Sequence, residues 1–222
     1  MPGIDRAAVS AAAVGAVPST LAVVTGHRRT AAALLALPLG IAAFFRDPDR
    51  APDDPDAAPG SPDLAVAPAD GRIMYAGPVQ EGVGPDGSWL QVSIFLSLFD
   101  VHINRSPYGG VVRAVTYRPG RWHAAYRFES ATENERSEIT VVDDATGRTV
   151  VFRQIVGLVA RRVVTRIAAG DRIGTGQRIG LMKFGSRMDV FLPTDAGLRV
   201  AVGDRVVGGE TVLAILEPSS AR

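Results

Sequence analysis

Phe184-Gly185-Ser186 sets a hydroxyl beside a glycine carbonyl. The flanks over residues 180–193 are apolar and β-prone, which predicts a strand, a sharp turn and a second strand. Gly185 gives that turn its backbone freedom. Taken alone, a serine there usually hydrogen-bonds the local backbone. A second cluster is Asp100-Val-His102-Ile-Asn104, just beyond the apolar run that ends near Phe95-Leu96. Alternation puts Asp100, His102 and Asn104 on one face of an extended segment. A carboxylate, an imidazole and an amide side by side can orient and move a proton, although a lone histidine is more often structural. The third cluster is Pro68-Ala-Asp70-Gly-Arg72, whose carboxylate sits in an Asp-Gly pair that also reads as a hairpin turn.

The composition narrows the chemistry. The 222 residues suit one domain, or one domain plus an appendage. A net charge of +1 gives no field that calls for nucleic acid. The chain has no cysteine, which excludes disulfides, thiolate nucleophiles and thiolate metal sites. Its three histidines, His27, His102 and His123, lack the spacing of a zinc helix, and no metal site is expected.

Two uncharged runs open the chain, over residues 7–26 and 30–45, separated by His27-Arg28-Arg29. Twenty helical residues span about 30 Å, roughly one hydrocarbon core, whereas sixteen reach only about 24 Å. The expectation is an α-helical membrane hairpin over residues 1–46, with a signal peptide and buried soluble helices as the competing readings. Arg6, Arg46 and Arg50 flank it, against Arg28 and Arg29 in its loop, a slight bias towards cytoplasmic ends. Residues 47–63, rich in Pro, Asp, Ala and Gly, read as a linker.

Residues 64–222 read as a mainly β domain. Short β-prone runs at 64–67, 72–76, 90–96, 110–117, 137–143, 149–156, 162–167, 178–183, 187–192, 199–202 and 211–215 alternate with Gly, Pro and Asp turns. Residues 122–135 look like a loop or short helix. An internal repeat aligns Gly170, Asp171, Arg172 and Gly176 with Gly203, Asp204, Arg205 and Gly209. Such a pair resembles the flattened barrel of lipoyl- and biotinyl-type domains (a barrel-sandwich hybrid). The Gly-Asp pairs themselves are turn chemistry. Gly185-Ser186 falls between the two copies.

In chain order, Pro68-Ala-Asp70-Gly, Phe95-Leu-Ser with Asp100-Val-His102-Ile-Asn104-Arg105, Glu133-Asn134-Glu135-Arg136 and Phe184-Gly185-Ser186 resemble the motifs of phosphatidylserine decarboxylases. The likeness covers about residues 40–217 and is nearest the short, archaeal-type branch also found in bacteria. It implies a self-processing enzyme with a covalent pyruvoyl group made from Ser186. Loss of CO₂ from an amino acid leaves an electron pair that needs a sink, here a Schiff base between the substrate amine and the pyruvoyl carbonyl. In this scheme Ser186 Oγ attacks the Gly185 carbonyl and an N-to-O acyl shift gives an ester. A base then takes the Ser186 α-proton, elimination leaves dehydroalanine, and hydrolysis yields the pyruvoyl group. The products are a β chain of residues 1–185 and an α chain of 186–222.

By motif position the resemblance assigns Asp70 to processing and His102 to the active site. Its longer branch carries a second histidine where this chain has Arg105; arginine stays protonated and is a poor base. Either His102 then serves both roles or His123 joins it. Asn104, Arg105 and Arg136 become candidates for binding substrate, with Arg113, Arg118, Arg121 and Arg127 as further cations. The implied reaction takes phosphatidylserine to phosphatidylethanolamine and CO₂ at the cell membrane, with the catalytic domain on the cytoplasmic side; a homo-oligomer stays open. Two other readings are a carrier module modified on Lys183 and a pyruvoyl decarboxylase of a soluble amino acid. A membrane-tethered structural β module is a further one.

Overall fold

The computed structural model describes residues 3–4, 20, 23–24, 46–51, 64–158, 162–182 and 185–216. The chain divides into two compact units, Met1–Asp49 and Arg50–Arg222. In the first, β1 (Gly3–Ile4) pairs antiparallel with β2 (Arg46–Asp47), and Thr20, Val23 and Val24 are helical. The rest of the expected membrane hairpin, and residues 52–63 of the expected linker, lie outside the described residues. Among the described residues no helix is long and apolar enough to cross a membrane.

The second unit is mainly β. Its strands are β3 (Leu64–Val66), β4 (Gly71–Pro78), β5 (Leu90–Leu96), β6 (Ile103–Arg105), β7 (Gly110–Arg118), β8 (Arg136–Val142), β9 (Thr149–Ile155), β10 (Val163–Thr165), β11 (Arg172–Ile173), β12 (Arg178–Met182), β13 (Ser186–Leu192), β14 (Gly197–Leu198), β15 (Arg205–Val206) and β16 (Val212–Ile215). One short helix, α1 (Ser130–Glu133), lies in the stretch read as loop or helix. Eight strands form an antiparallel sheet in the order β11-β7-β8-β9-β13-β5-β4-β15, curled into a half barrel. Two three-stranded sheets, β10-β12-β6 and β14-β16-β3, complete it. Residues 199–202, expected as a strand, are not one: the pairing falls earlier, on Gly197–Leu198 against Ala214–Ile215.

Strand β13 occupies the middle of the large sheet, between β9 and β5. All seven of its residues are buried, so both faces of the sheet are covered there. Met188, Val190 and Leu192 enter the main core with Val92, Ile94, Leu96 and Phe152. The opposite face carries Phe191, packed with Val83, Ala131 and Val151, and the ion pair of Arg187 Nε with Asp189 Oδ1 at 2.7 Å. Arg187 also donates to Ser93 Oγ at 3.1 Å. The two charges of this strand are thus paired inside the fold, although among the described residues Asp189 Oδ2 has no hydrogen-bond partner.

The internal repeat is visible in three dimensions. Its two short strands, β11 and β15, form the opposite edges of the large sheet. Gly170 N–H donates to Val112 O at 2.8 Å and Gly203 N–H to Ile73 O at 2.9 Å. Asp171 Oδ2 accepts from Ala168 N–H and Asp204 Oδ2 from Ala201 N–H, both at 2.8 Å. Both aspartates close turns, as their Gly-Asp pairing predicts.

Candidate active site

Ser186 is the first residue of β13 and pairs with Leu96, the last residue of β5. It shares the strand's inner face with Met188, towards the main core. Its residue exposure is 0% and, among the described residues, its Oγ has no hydrogen-bond partner. Gly185 before it has φ of +65°, a left-handed conformation that a side chain resists. Lys183 and Phe184 lie outside the described residues. The turn at Gly185 and the strand after it agree with the sequence expectation.

The backbone of Gly157 lies against the Gly185 carbonyl. A Cβ built on Gly157 would fall 2.0 Å from Gly185 O, 3.0 Å from its carbonyl carbon and 3.2 Å from Ala125 Cβ. The β9–β13 ladder ends two residues earlier, at Ile155 opposite Arg187. Beyond it, Val156 is tied on both sides: its N–H donates to Glu135 O at 3.1 Å, and its carbonyl accepts from Asn134 Nδ2 at 2.8 Å. The same Asn134 amide holds His123 O and His123 N–H, each at 2.8 Å. Asn134 thereby fastens the 120–125 loop to the strand end that meets Gly185.

The motif read as Glu133-Asn134-Glu135-Arg136 is therefore a support for the site. Glu135 is buried and accepts from Trp122 Nε1 at 3.4 Å. Arg136 Nη1 donates to the carbonyls of Thr132 and Asn134. Burial, with repulsion from Arg153 and Arg118, holds the Arg136 guanidinium below the usual arginine pKa. Its cation is engaged on the main chain at the end of α1.

His102 is buried, and its main chain meets the strand that leads into the turn: Met182 N–H donates to His102 O at 3.2 Å. Its Nδ1 lies 2.8 Å from the Asp100 carbonyl oxygen. A carbonyl only accepts, so Nδ1 carries a proton, and in the neutral ring the lone pair would lie on Nε2. The Asp100 carboxylate does different work. Its Oδ2 accepts from Ser97 N–H and Ser97 Oγ, both at 2.7 Å, and its Oδ1 faces Arg205 Nη1 at 3.2 Å. It closes the 97–100 turn that delivers His102.

Asn104 Oδ1 accepts from Gln154 Nε2 at 2.8 Å, while its buried Nδ2 has no hydrogen-bond partner among the described residues. Gln154 Oε1 in turn accepts from Thr165 Oγ1 at 2.8 Å. Gln154 is the register partner of Met188, two residues beyond Ser186 on the same face.

The other expected residues are engaged elsewhere. Asp70 binds Arg50 through both carboxylate oxygens, and its Oδ1 also accepts from Gly208 N–H at 2.9 Å. No hydrogen bond joins it to His102 or Ser186. Arg105 Nη1 donates to Gly176 O at 3.0 Å and lines a cavity of about 330 Å³ with Arg50, Thr175, Arg178 and Gly209. His123 Nε2 meets Glu133 Oε2 at 2.9 Å, within the loop that Asn134 holds. Arg113 and Arg121 pair with Asp144 and Glu133 at the surface.

Gly185 itself lines a cavity of about 200 Å³ whose other walls are Phe95, Leu98, Ala124, Ala125, Tyr126 and Leu158. The turn thus combines a buried hydroxyl, a carbonyl lodged against a glycine and an apolar opening, and His102 is linked to the strand before it through Met182. Gly157 and Asn134 complete that arrangement, and motif reading gave Gly157 no role. Its signal was a single glycine within the apolar run Ile155-Val156-Gly157-Leu158-Val159, a pattern that marks close backbone approach.

Known proteins carry the same arrangement of sequence. A family model for phosphatidylserine decarboxylase matches residues 39–214. The chain belongs to the phosphatidylserine decarboxylase family. It is 46% identical over 187 residues to a phosphatidylserine decarboxylase proenzyme of Symbiobacterium thermophilum, covering 84% of each chain. The proenzyme of Novosphingobium aromaticivorans is 41% identical over 213 residues, 90% of this chain and 82% of that one. That of Mycolicibacterium smegmatis is 44% identical over 179 residues, 79% of this chain and 74% of that one. The family match spans the β unit and every motif named above, from Asp70 to Ser186. Membership brings with it a covalent pyruvoyl group derived from serine.

Proposed function

We propose that the chain is a self-processing decarboxylase that takes phosphatidylserine to phosphatidylethanolamine and CO₂. The observation that carries this reading is the Ser186 hydroxyl, buried without a partner directly after a left-handed glycine. An unpaired buried hydroxyl costs about 1–3 kcal/mol. A serine that merely served its turn would avoid that cost by bonding the local backbone. A hydroxyl held ready to attack the preceding carbonyl accounts for it.

The same hydroxyl is the test of fit for the pyruvoyl group, and Ser186 is its source. Once formed, that group supplies the sink for the electron pair left as CO₂ departs. The chain's own side chains do the rest. His102, its Nδ1 proton fixed on the Asp100 carbonyl, offers Nε2 as the nitrogen that takes and returns a proton. Asn104 offers an amide N–H, so far unpartnered, to a substrate oxygen. Asp70 serves processing by exchanging Arg50 for another partner, while Arg105 and Arg136 order the carbonyls that frame the site.

The lipid nature of the substrate suits the surroundings. Leu98, Phe99, Tyr126, Phe128 and Leu158 are all exposed large apolar side chains, and three of them also line the cavity at Gly185. Such a rim favours a bilayer face over bulk water. The uncharged runs at 7–26 and 30–45 fit an anchor at the cell membrane, with the catalytic unit on its cytoplasmic side. The matched turns at 170–176 and 203–209 fit a barrel-sandwich double repeat around the cleavage point.

Intact mass of the purified protein tests the reading. The expected result is two chains divided between Gly185 and Ser186, the smaller one lacking a free α-amine. Ser186→Ala should leave a single, inactive chain. A wild-type chain that stays whole, or cleavage that persists in the alanine variant, would overturn it.

A further inference from the structure

Gly157 has no positive φ to explain it, and it stands where a β-branched residue would extend the strand. What explains it is space. Its Cβ position is filled by the carbonyl of Gly185, with the oxygen 2.0 Å away. Real side chains do not tolerate such a distance. Neither group can yield cheaply, because both are main chain and Val156 is pinned by Glu135 and by Asn134. Ala125 Cβ closes the far side at 3.2 Å.

Resting on the reading of Gly185-Ser186 as a self-cleaving bond, we propose that Gly157 is a positioning residue for that cleavage. The absent side chain is the niche that holds the Gly185 carbonyl oxygen while Ser186 Oγ attacks the carbonyl carbon. In that step the Oγ–C bond forms and the hydroxyl proton passes to a base. The carbonyl electron pair moves onto the oxygen lodged against Gly157, and its return expels the Ser186 nitrogen, which takes up a proton. The ester and a free amine result. Rotation of the Gly185 peptide plane decides whether Oγ meets the carbon face-on, and the niche sets that rotation. A misplacement on the order of 1 Å at a reacting atom costs about a hundredfold in rate.

The test is Gly157→Ala, followed by the rate of chain cleavage and by treatment with hydroxylamine, which cuts an ester at this bond but spares the amide. Cleavage should slow about a hundredfold, and hydroxylamine should release no fragments, because the acyl shift itself is blocked. Stability is read in uncut chains, by comparing Ser186→Ala with Gly157→Ala/Ser186→Ala; both should melt cooperatively within a few degrees of each other. Adding Ala125→Gly to Gly157→Ala gives residue 157 room to retreat and should restore part of the cleavage. Wild-type cleavage in Gly157→Ala would overturn the proposal. So would hydroxylamine-released fragments, which place the block after the ester, or loss of cooperative melting, which makes Gly157 a packing residue alone. A wild-type chain that never cleaves would instead sink the self-cleavage reading on which the proposal rests.

Discussion

At the residue scale, the division of labour between Asp100 and His102 is the least expected result. Alternation puts both on one face with Asn104, which invites a carboxylate–imidazole pair. The structure separates them: the carboxylate closes the Ser97–Asp100 turn, and the histidine bonds the Asp100 main-chain carbonyl. A main-chain acceptor fixes the tautomer without adding a negative charge beside the ring. His102→Gln should therefore separate the two stages of the enzyme's life. Glutamine can donate to the same carbonyl but cannot carry a proton between acid and base roles. We expect a folded chain whose cleavage or turnover falls by about a hundredfold to ten-thousandfold, the usual worth of a proton-transfer group. Cleavage is followed by gel and turnover by CO₂ release. Wild-type values for both would remove His102 from the chemistry. Asp100→Asn should affect both stages only through the local turn, leaving the pH profile of turnover unchanged.

At the scale of elements, the strand that begins with Ser186 is held by its neighbours on both edges and by cover on both faces. Its outward charges matter most. Asp189 is fully buried, and its pair with Arg187 lies wholly inside the fold. Removing one partner strands a buried charge, which costs about 3–5 kcal/mol, whereas replacing both with apolar groups of similar volume is often neutral. Asp189→Ala should thus lower the unfolding free energy by about 3–5 kcal/mol in urea titrations. Arg187→Met/Asp189→Leu should recover most of it, with cleavage at Gly185 retained. If the double variant were as unstable as the single one, the pair would be more than a neutral scaffold. This pair also marks what was legible in the sequence. The strand itself, its turn and the edge repeats follow from apolar alternation and from Gly-Asp spacing, because those signals are local. The ladder order and the Arg187–Asp189–Ser93 contact join residues far apart in the chain, which periodicity does not encode. The strand expected at 199–202 was displaced for the same reason: pairing with β16, not propensity, chose Gly197–Leu198. Asp70 shows what a motif leaves out. Its position matched the family, yet Arg50, which lies beyond the expected β domain and carried no motif of its own, holds its carboxylate.

At the scale of the whole molecule, the apolar rim raises the question of how a lipid headgroup reaches a buried serine. Leu98 and Phe99 belong to the turn that Asp100 closes, Tyr126 and Phe128 to the loop that Asn134 holds, and Leu158 to the residue after Gly157. Three separate segments thus place exposed apolar side chains around one cavity, and each is anchored by a contact that also orders the site. Phe99 is 85% exposed and does not line the cavity, so a change there tests the surface apart from the headgroup site. Burying a phenylalanine side chain in an apolar phase is worth about 1.5–3 kcal/mol, or roughly 10- to 100-fold in an equilibrium constant. Phe99→Ser, alone and with Phe128→Ser, should lower kcat/KM by that order on vesicles containing phosphatidylserine. With a short-chain, fully dispersed phosphatidylserine the same variants should turn over at the wild-type rate, and their self-cleavage should be unchanged. An equal loss on both substrates would move Phe99 from the membrane face to the site itself. Wild-type rates on vesicles would remove Phe99 and Phe128 from any membrane face. Only a selective loss on vesicles ties the loops that order the catalytic serine to the surface from which its substrate comes.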